Sequence, residues 1–193
     1  MMFKVIDLET TGLTDTSEIA QLASWTLDDN MSFVSRSNYF FNIHDEMPPA
    51  AYRANQLTKA VLEERSNGYY FEDMKGIIYN ELKDAILVAH NASFERKFLN
   101  THLDGMLESS TWICNMRRYT PTLAIPDRRG FSQYKFCNLE ELTDYCLKKV
   151  DITMDDLKSA YKKACGNSDV CGVRFHDAMF DAYCTAFAFR VLN

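Results

Sequence analysis

The chain has 193 residues, 47% of them hydrophobic, with a formal net charge of −6. That length fits one domain spanning 1–193, and that apolar fraction supports a sizeable core, which excludes a disordered chain. The acidic balance argues against a protein that wraps duplex nucleic acid through many phosphate contacts, because such proteins are usually basic. No apolar run reaches the length of a membrane span, and Met1-Met2-Phe3-Lys4 leads into apolar sequence with no signal-peptide pattern, so a cytoplasmic protein without membrane contact is expected. Six cysteines without a Cys-x-x-Cys pair read as free thiols in a reducing compartment. A zinc site at Cys165, Cys171 and His176 is the minor alternative, as the usual ligand spacing is missing.

The first element is a short buried strand through Phe3, Val5, Ile6 and Leu8, interrupted by Asp7 and Glu9. Side chains two apart on a strand share a face, so both carboxylates project together. Buried like charges are unfavourable unless a cation joins them, and hard cations such as Mg2+ prefer carboxylate oxygens. The bland reading is a turn with solvated acids, and Asp-x-Glu alone is a weak motif. Gly12 ends the strand, with Thr10 and Thr11 beside it.

Strands are expected near Ile19–Leu27 and Phe33–Ile43, joined by the turn signal Asp28-Asp29-Asn30, giving an antiparallel meander. Pro48-Pro49 ends it. Helices follow from Ala50 or Ala51, from the N-cap Thr58 to Arg65, and over Phe71–Lys83. Ala85–Ala89 reads as a central strand buried on both faces. It stops at His90, which fixes the turn, and Asn91, a potential cap for a helix over Ala92–His102. On that helix Phe94 and Phe98 face the core, with Glu95 beside them. Thr111–Cys114 is a further short strand.

Arg117–Phe136 is the one basic, aromatic-rich stretch: Arg117, Arg118, Arg128, Arg129 and Lys135 against Asp127, interleaved with Tyr119, Phe131, Tyr134 and Phe136. It suits a nucleic-acid backbone and stacked bases, and equally a solvated loop anchored by its aromatics. Asn138 and Glu141 form a capping-box pattern opening a helix to about Lys149. Another helix covers Asp155–Ala164, and Gly166–Gly172 is a loop. The last helix, Asp177–Leu192, carries Ala178, Ala182, Thr185 or Ala186, and Phe189 on one stripe, small enough to approach a sheet closely. His176 and Asp181 are about 140° apart on an ideal helix, which places His176 before the helix or in its first turn.

Asp7 and Glu9, Glu95, and Asp181 thus sit at the ends of regular elements. Four carboxylates and one histidine in one place would hold two metal ions roughly 4 Å apart. Asp7-Leu8-Glu9-Thr10-Thr11-Gly12, His90-Asn91-Ala92-Ser93-Phe94-Glu95 and His176-Asp177-Ala178-Met179-Phe180-Asp181-Ala182 resemble, in order and spacing, the three motifs of the DEDDh group of 3′→5′ exonucleases, which includes the proofreading subunit of bacterial replicative DNA polymerase. The likeness covers nearly the whole chain. Leu57-Thr58, Val88–Phe98 and Thr111–Met116 are most similar to its exonuclease X branch.

The resemblance implies a ribonuclease H-like α/β fold: a mixed sheet of about five strands, the first three antiparallel, with helices on both faces. It implies release of nucleoside 5′-monophosphates from a nucleic-acid 3′ end, DNA favoured, with two Mg2+ or Mn2+ ions. Asp7 would bridge both ions, Glu9 and Asp181 hold the one carrying the attacking water, and Glu95 support the second. His176 would take the proton from that water, a task suited to imidazole near neutral pH. Thr10, Thr11 and Gly12 would contact the terminal nucleotide through backbone groups, and Leu13 would wedge against its base. Gripping only a strand end needs no broad basic surface. A second copy of the chain is a candidate partner.

The chain departs from the family twice. The second motif normally ends Phe-Asp; here Glu95 adds a methylene, and Mg2+ is exacting about ligand geometry. Many relatives also carry a histidine before the Leu-Thr that opens a helix, where this chain reads Asn55-Gln56-Leu57-Thr58. Two other functions stay open. An RNA exonuclease on the same scaffold would differ in contacts to the 2′-OH. A non-catalytic nucleic-acid-binding module would keep the fold and lose the chemistry, with Glu95 as its signature.

Overall fold

Alternation along the first strand builds the molecule. In the computed structural model, which describes residues 1–166 and 173–193, β1 runs Phe3–Thr10, β2 Ile19–Leu27 and β3 Phe33–Phe40. They form the expected antiparallel meander. The third strand ends three residues before the expected Ile43. Beyond Phe40 only the Phe41 N–H still bonds back to β2, at Ala20 O. After three helices, α1 (Pro49–Asn55), α2 (Lys59–Arg65) and α3 (Phe71–Leu82), the chain returns as β4 (Ile86–Ala89), parallel to β1. Helix α4 (Ala92–His102) leads to β5 (Trp112–Cys114), parallel to β4. The sheet order is β3-β2-β1-β4-β5.

Four more helices complete the described residues: α5 (Asn115–Leu123), α6 (Leu139–Val150), α7 (Met154–Cys165) and α8 (Ala178–Leu192). Val5 and Val88 point to the face covered by Leu147 of α6, Leu157 and Tyr161 of α7, and α8. Ile6, Leu8, Leu87 and Ala89 point to the other, where Ile78 and Leu82 of α3 and Phe98 and Leu99 of α4 cover them. Helices therefore lie on both faces, as a ribonuclease H-like fold requires. With period-2 alternation, Asp7 and Glu9 fall on the α8 side with Val5.

Local signals explain the boundaries. Thr58 accepts from the N–H of Val61, and Asn138 and Glu141 close the expected capping box. Asn91 differs from expectation: it precedes α4 but its side chain makes no capping bond. Helix α5 occupies the first third of the basic stretch that read as a loop or binding segment. Pro121 hid it; the proline sits in the last turn of a short helix, where a missing N–H disrupts little downstream. Helix α8 was expected to bury one stripe. It buries nearly every residue from Ala178 to Phe189, because it is packed between β1 and β2 on one side and α6 on the other. Ala182 and Ala186, both fully buried, permit that approach.

Cys114, Cys137, Cys146, Cys165 and Cys184 are free. Cys171 and most of the expected loop Gly166–Gly172 lie outside the described residues. No helix among the described residues is long and apolar enough to cross a membrane.

Candidate active site

The carboxyl ends of β1 and β4 open into a cleft where the two faces of the sheet meet. Asp7 and Glu9 enter it from β1, Glu95 from the first turn of α4, and Asp181 from the first turn of α8. A cleft of about 750 Å³ is lined by all four, together with Thr10, Thr11, Gly12, Leu13, Asn55, Phe94 and His176. Asp7, Glu95, His176 and Asp181 also face a second hollow of about 370 Å³ on the far side, lined by Met116, Phe136 and Leu139. Acids separated by up to 174 positions in the chain thus meet in one place.

Each is held differently. Asp177 caps α8, its Oδ1 accepting from the N–H groups of Met179 (3.1 Å) and Phe180 (3.3 Å). His176 therefore lies outside the helix, as expected, and is exposed at a left-handed φ of 63°. Its N–H donates to Asp181 Oδ2 at 3.1 Å. Glu95 is only 3% exposed, against the ordinary expectation of a solvated glutamate. Phe94 is half-buried, its ring tilted against that of Phe98 with centroids 4.7 Å apart, and it lines the cleft instead of lying wholly in the core.

The electrostatics are those of negative charges confined together. Burial, then Asp181, Glu95, Glu9 and Asp177, pushes Asp7 well above the usual carboxylate range. Burial and the charges of Asp181 and Asp177 raise Glu9 to about 8, opposed by Arg174 and Asn55. Burial raises Glu95 to about 8 and Asp181 to about 7, the latter against the His176 N–H bond. Two carboxyl oxygens, Glu95 Oε2 and Asp181 Oδ1, are buried with no hydrogen-bond partner among the described residues. One ligand atom from each of Glu9, His176 and Asp181 lies within 4.8 Å of the others. Oxygen-rich, unpartnered and mutually repelling, this donor set fits a divalent cation.

The motif after β1 is more occupied than expected. Thr11 gives its N–H to Glu18 O (2.9 Å), and its hydroxyl accepts from the Glu18 N–H (2.9 Å), while Thr10 donates its hydroxyl to Gly12 O (2.6 Å). Thr11 thus closes its own loop and has no free backbone donor for a ligand. A Cβ at Gly12 would stand 2.7 Å from Ser17 Oγ, so any other residue would displace that hydroxyl from its bonds to Thr14. Leu13 projects into the cleft, 77% exposed, its carbonyl held by Lys97 Nζ at 3.2 Å.

Three residues escaped the sequence reading. Asp177 is a fifth carboxylate at the site, raised to about 6 chiefly by burial. Asn55, in the stretch Asn55-Gln56-Leu57-Thr58 that lacks the expected histidine, is 3% exposed; it donates to Thr10 O at 3.4 Å and acts to lower the pKa of Glu9. Arg174 donates to the carbonyls of Ala54 (3.3 Å) and Asn55, fastening the turn before His176 to the end of α1. The departure from the family pattern at Asn55 was the available signal. His90 is structural, as expected: Nε2 bonds Cys137 O at 3.1 Å, and burial lowers the ring to about 4, so it is neutral.

Residues 5–189 match the model of the RNase_T exonuclease family. The chain belongs to this exonuclease family. Its DEDD-type resemblance accords with curated relatives named 3′-5′ exonuclease DinG. The protein of Staphylococcus haemolyticus is 31% identical over 104 residues, 50% of this chain and 10% of that one. The protein of Staphylococcus aureus strain RF122 is 30% identical over 98 residues, with the same shares. The chain spans about a tenth of the length of these relatives. In fold it is similar to exonuclease X in complex with 5′ overhanging duplex DNA (TM-score 0.56, 23% identity, covering 97% of this chain and 88% of that one). It is also similar to E. coli exonuclease I in complex with a dT13 oligonucleotide (TM-score 0.71, 15% identity, 99% and 40%).

Proposed function

We propose that residues 1–193 form one exonuclease unit that hydrolyses the terminal phosphodiester at a nucleic-acid 3′ end, DNA favoured, and releases nucleoside 5′-monophosphates. The observation that carries this reading is the convergence of Asp7, Glu9, Glu95 and Asp181, with His176, on a cleft large enough for a nucleotide. The family membership supports the same chemistry.

Asp7, Glu9, Glu95 and Asp181 would hold two divalent ions, Mg2+ or Mn2+. Such ions neutralise phosphoryl charge, lower the pKa of bound water and stabilise the leaving 3′ oxygen. The chain's own groups do the rest. Leu13 offers an exposed apolar edge to the terminal base, and Gly12 lets backbone approach the nucleotide. Phe94 gives the cleft an aromatic wall. His176, exposed beside Glu9 and Asp181, takes a proton from the attacking water. Asn55 and Arg174 hold Glu9 and the His176 turn in register across the cleft.

The test is direct. Labelled DNA and RNA oligonucleotides of matched sequence are incubated with the protein and Mg2+ or Mn2+. Mononucleotides should appear from the 3′ end, faster from DNA, and Asp7→Ala should abolish them. Absence of mononucleotides with either ion would leave only a binding module. Faster release from RNA would reverse the substrate preference.

A further inference from the structure

We propose that, before substrate arrives, His176 is itself a metal ligand: with Glu9 and Asp181 it makes a nitrogen–oxygen–oxygen site for a borderline transition-metal ion such as Zn2+, and an ion held there takes the imidazole out of service as a base. This rests on the reading of Glu9 and Asp181 as ion ligands, and adds the histidine to them.

The geometry is the first argument. One ligand atom from each of the three side chains lies within 4.8 Å of the other two. The backbone holds the histidine there. His176 adopts φ 63°, a left-handed conformation uncommon for a non-glycine residue. In that conformation its N–H reaches Asp181 Oδ2 at 3.1 Å, while the next residue, Asp177, is anchored on the first turn of α8.

That same bond leaves Asp181 divided. Oδ2 is taken by the His176 N–H, whereas Oδ1 is buried with no hydrogen-bond partner among the described residues, on a residue 7% exposed. An unpartnered anionic oxygen in so closed a place is unfavourable unless a cation meets it. Glu9, 9% exposed, is similarly confined and supplies the second oxygen.

Donor chemistry then selects the ion. Mg2+ favours oxygen ligands and retains its waters, so an imidazole adds little for it. Zn2+ is commonly bound by imidazole with carboxylate, and imidazole suits such borderline ions. The triad therefore favours Zn2+ over Mg2+ through His176, while Asp7 and Glu95 remain as oxygen donors beside it. A histidine whose nitrogen is bound to a metal cannot accept a proton at that atom, so Zn2+ at this place is inhibitory. The sulfur alternative is poorly placed among the described residues: Cys165 is 3% exposed, with its thiol pushed up by burial.

The experiment uses the full chain stripped of metal. His176→Gly removes the ring and tolerates the left-handed backbone. Zn2+, Mg2+ and Mn2+ affinities are measured by calorimetry, and Cu2+, a paramagnetic ion that shares the preference of Zn2+ for imidazole, is examined in the unaltered protein by electron spin-echo modulation for nitrogen coupling. The expected result is nitrogen coupling in the unaltered protein that disappears in His176→Gly, with Zn2+ affinity falling about ten-fold or more. Mg2+ affinity should change less than about three-fold. Absence of nitrogen coupling in the unaltered protein overturns the proposal, as does coupling that persists in His176→Gly. Sulfur-to-metal charge-transfer bands with Co2+ overturn it in favour of cysteine. If neither Mg2+ nor Mn2+ binds at all, the acid cage itself fails, an outcome distinct from an ion that binds without nitrogen.

Discussion

A single carboxylate and a crowd of carboxylates lie against opposite faces of the same sheet, and the two sites treat their charge in opposite ways. On the α3 side, Glu81 accepts from Lys4 Nζ (3.0 Å), Ser24 Oγ (2.8 Å), Ser37 Oγ and Tyr39 Oη (2.7 Å). Burial would raise its pKa, but the Ser37 and Tyr39 hydroxyls and the Lys4 ammonium outweigh burial and hold it below the usual range. Tyr39 is correspondingly pushed up to about 12, by burial and by its bond to Glu81. On the α8 side, Asp7, Glu9, Asp181 and Asp177 face one another with Arg174 as their main cationic neighbour, and the acids rise. Burial is common to both sites; the difference lies in the donors. A carboxylate surrounded by donors stays ionised and ties elements together, whereas carboxylates surrounded by carboxylates make a place that only something from outside can neutralise.

The sharpest way to test that contrast is to remove one charge from each site. Asp7→Asn should reduce exonuclease rate by at least about 10²–10³-fold, the scale seen when one preorganised group that stabilises transition-state charge is lost. It should also raise the thermal midpoint of the metal-free protein, because a like charge has gone from a crowded site. A fall in both rate and midpoint would show that Asp7 is held by favourable contacts after all.

Glu81→Ala is the mirror image. It leaves Lys4, Ser24, Ser37 and Tyr39 without their common acceptor. Because the cluster is partly solvated, the loss should be about 2–4 kcal/mol, below the full range for a broken buried pair. Denaturant unfolding measures it. The rate of mononucleotide release at a temperature where the variant is folded should stay within about two-fold of the parent, the site lying across the sheet. A stability change under 0.5 kcal/mol would place Glu81 with ordinary surface substitutions.

The sequence made these two sites unequally legible. Asp7 and Glu9 were readable because period-2 alternation on an apolar strand puts them on one face, and Asp181 because alanines and phenylalanines around it imply burial. The sheet and most helices followed from apolar periodicity and from caps such as Thr58 and Asn138. Glu81 carried no signal, since its partners come from three strands through pairings that no local pattern encodes. Arg174 was hidden for the same reason: its contact with the Asn55 carbonyl joins positions 119 apart through a group that any residue possesses, whereas Asn55 was visible only as part of a departure from the family pattern. Helix α5 was lost to Pro121, which counts against a helix in sequence but is tolerated where this one ends.

A smaller effect separates the sites by pH. Glu9, Glu95 and Asp181 bind their protons more tightly in the folded chain, at about 8, 8 and 7, than in an unfolded chain near 4. Between about pH 4 and pH 8 the unfolded chain loses protons that the folded one keeps, so metal-free stability falls as pH rises through that window. Glu81, with its lowered value, acts in the opposite sense, its contribution lost only as pH drops below the usual carboxylate range. His44, raised by Glu18, adds to the fall at higher pH and His90 opposes it, so the ion-dependent difference is the cleaner readout. Mn2+ should raise the thermal midpoint more at pH 8 than at pH 5.5. Equal gains at both values would mean that the ion is not binding to these acids.

The finest distinction concerns Glu95, where the chain carries one methylene more than its family. The longer side chain lies 3% exposed with Oε2 unpartnered, so the neighbouring fold already accommodates it. Glu95→Asp retracts the carboxylate by about 1.5 Å while keeping its charge. Because the cleft is open and ions bring their own water, a bridging water can fill that gap for Mg2+ or Mn2+. Exonuclease rate should therefore be retained or raised, and the Mg2+ rate should gain on the Mn2+ rate, since the shorter arm restores the geometry the family uses. A loss greater than about ten-fold with both ions would show that Asp7, Glu9 and Asp181 are set for the longer reach, and that the position has become a specific feature of this chain's site.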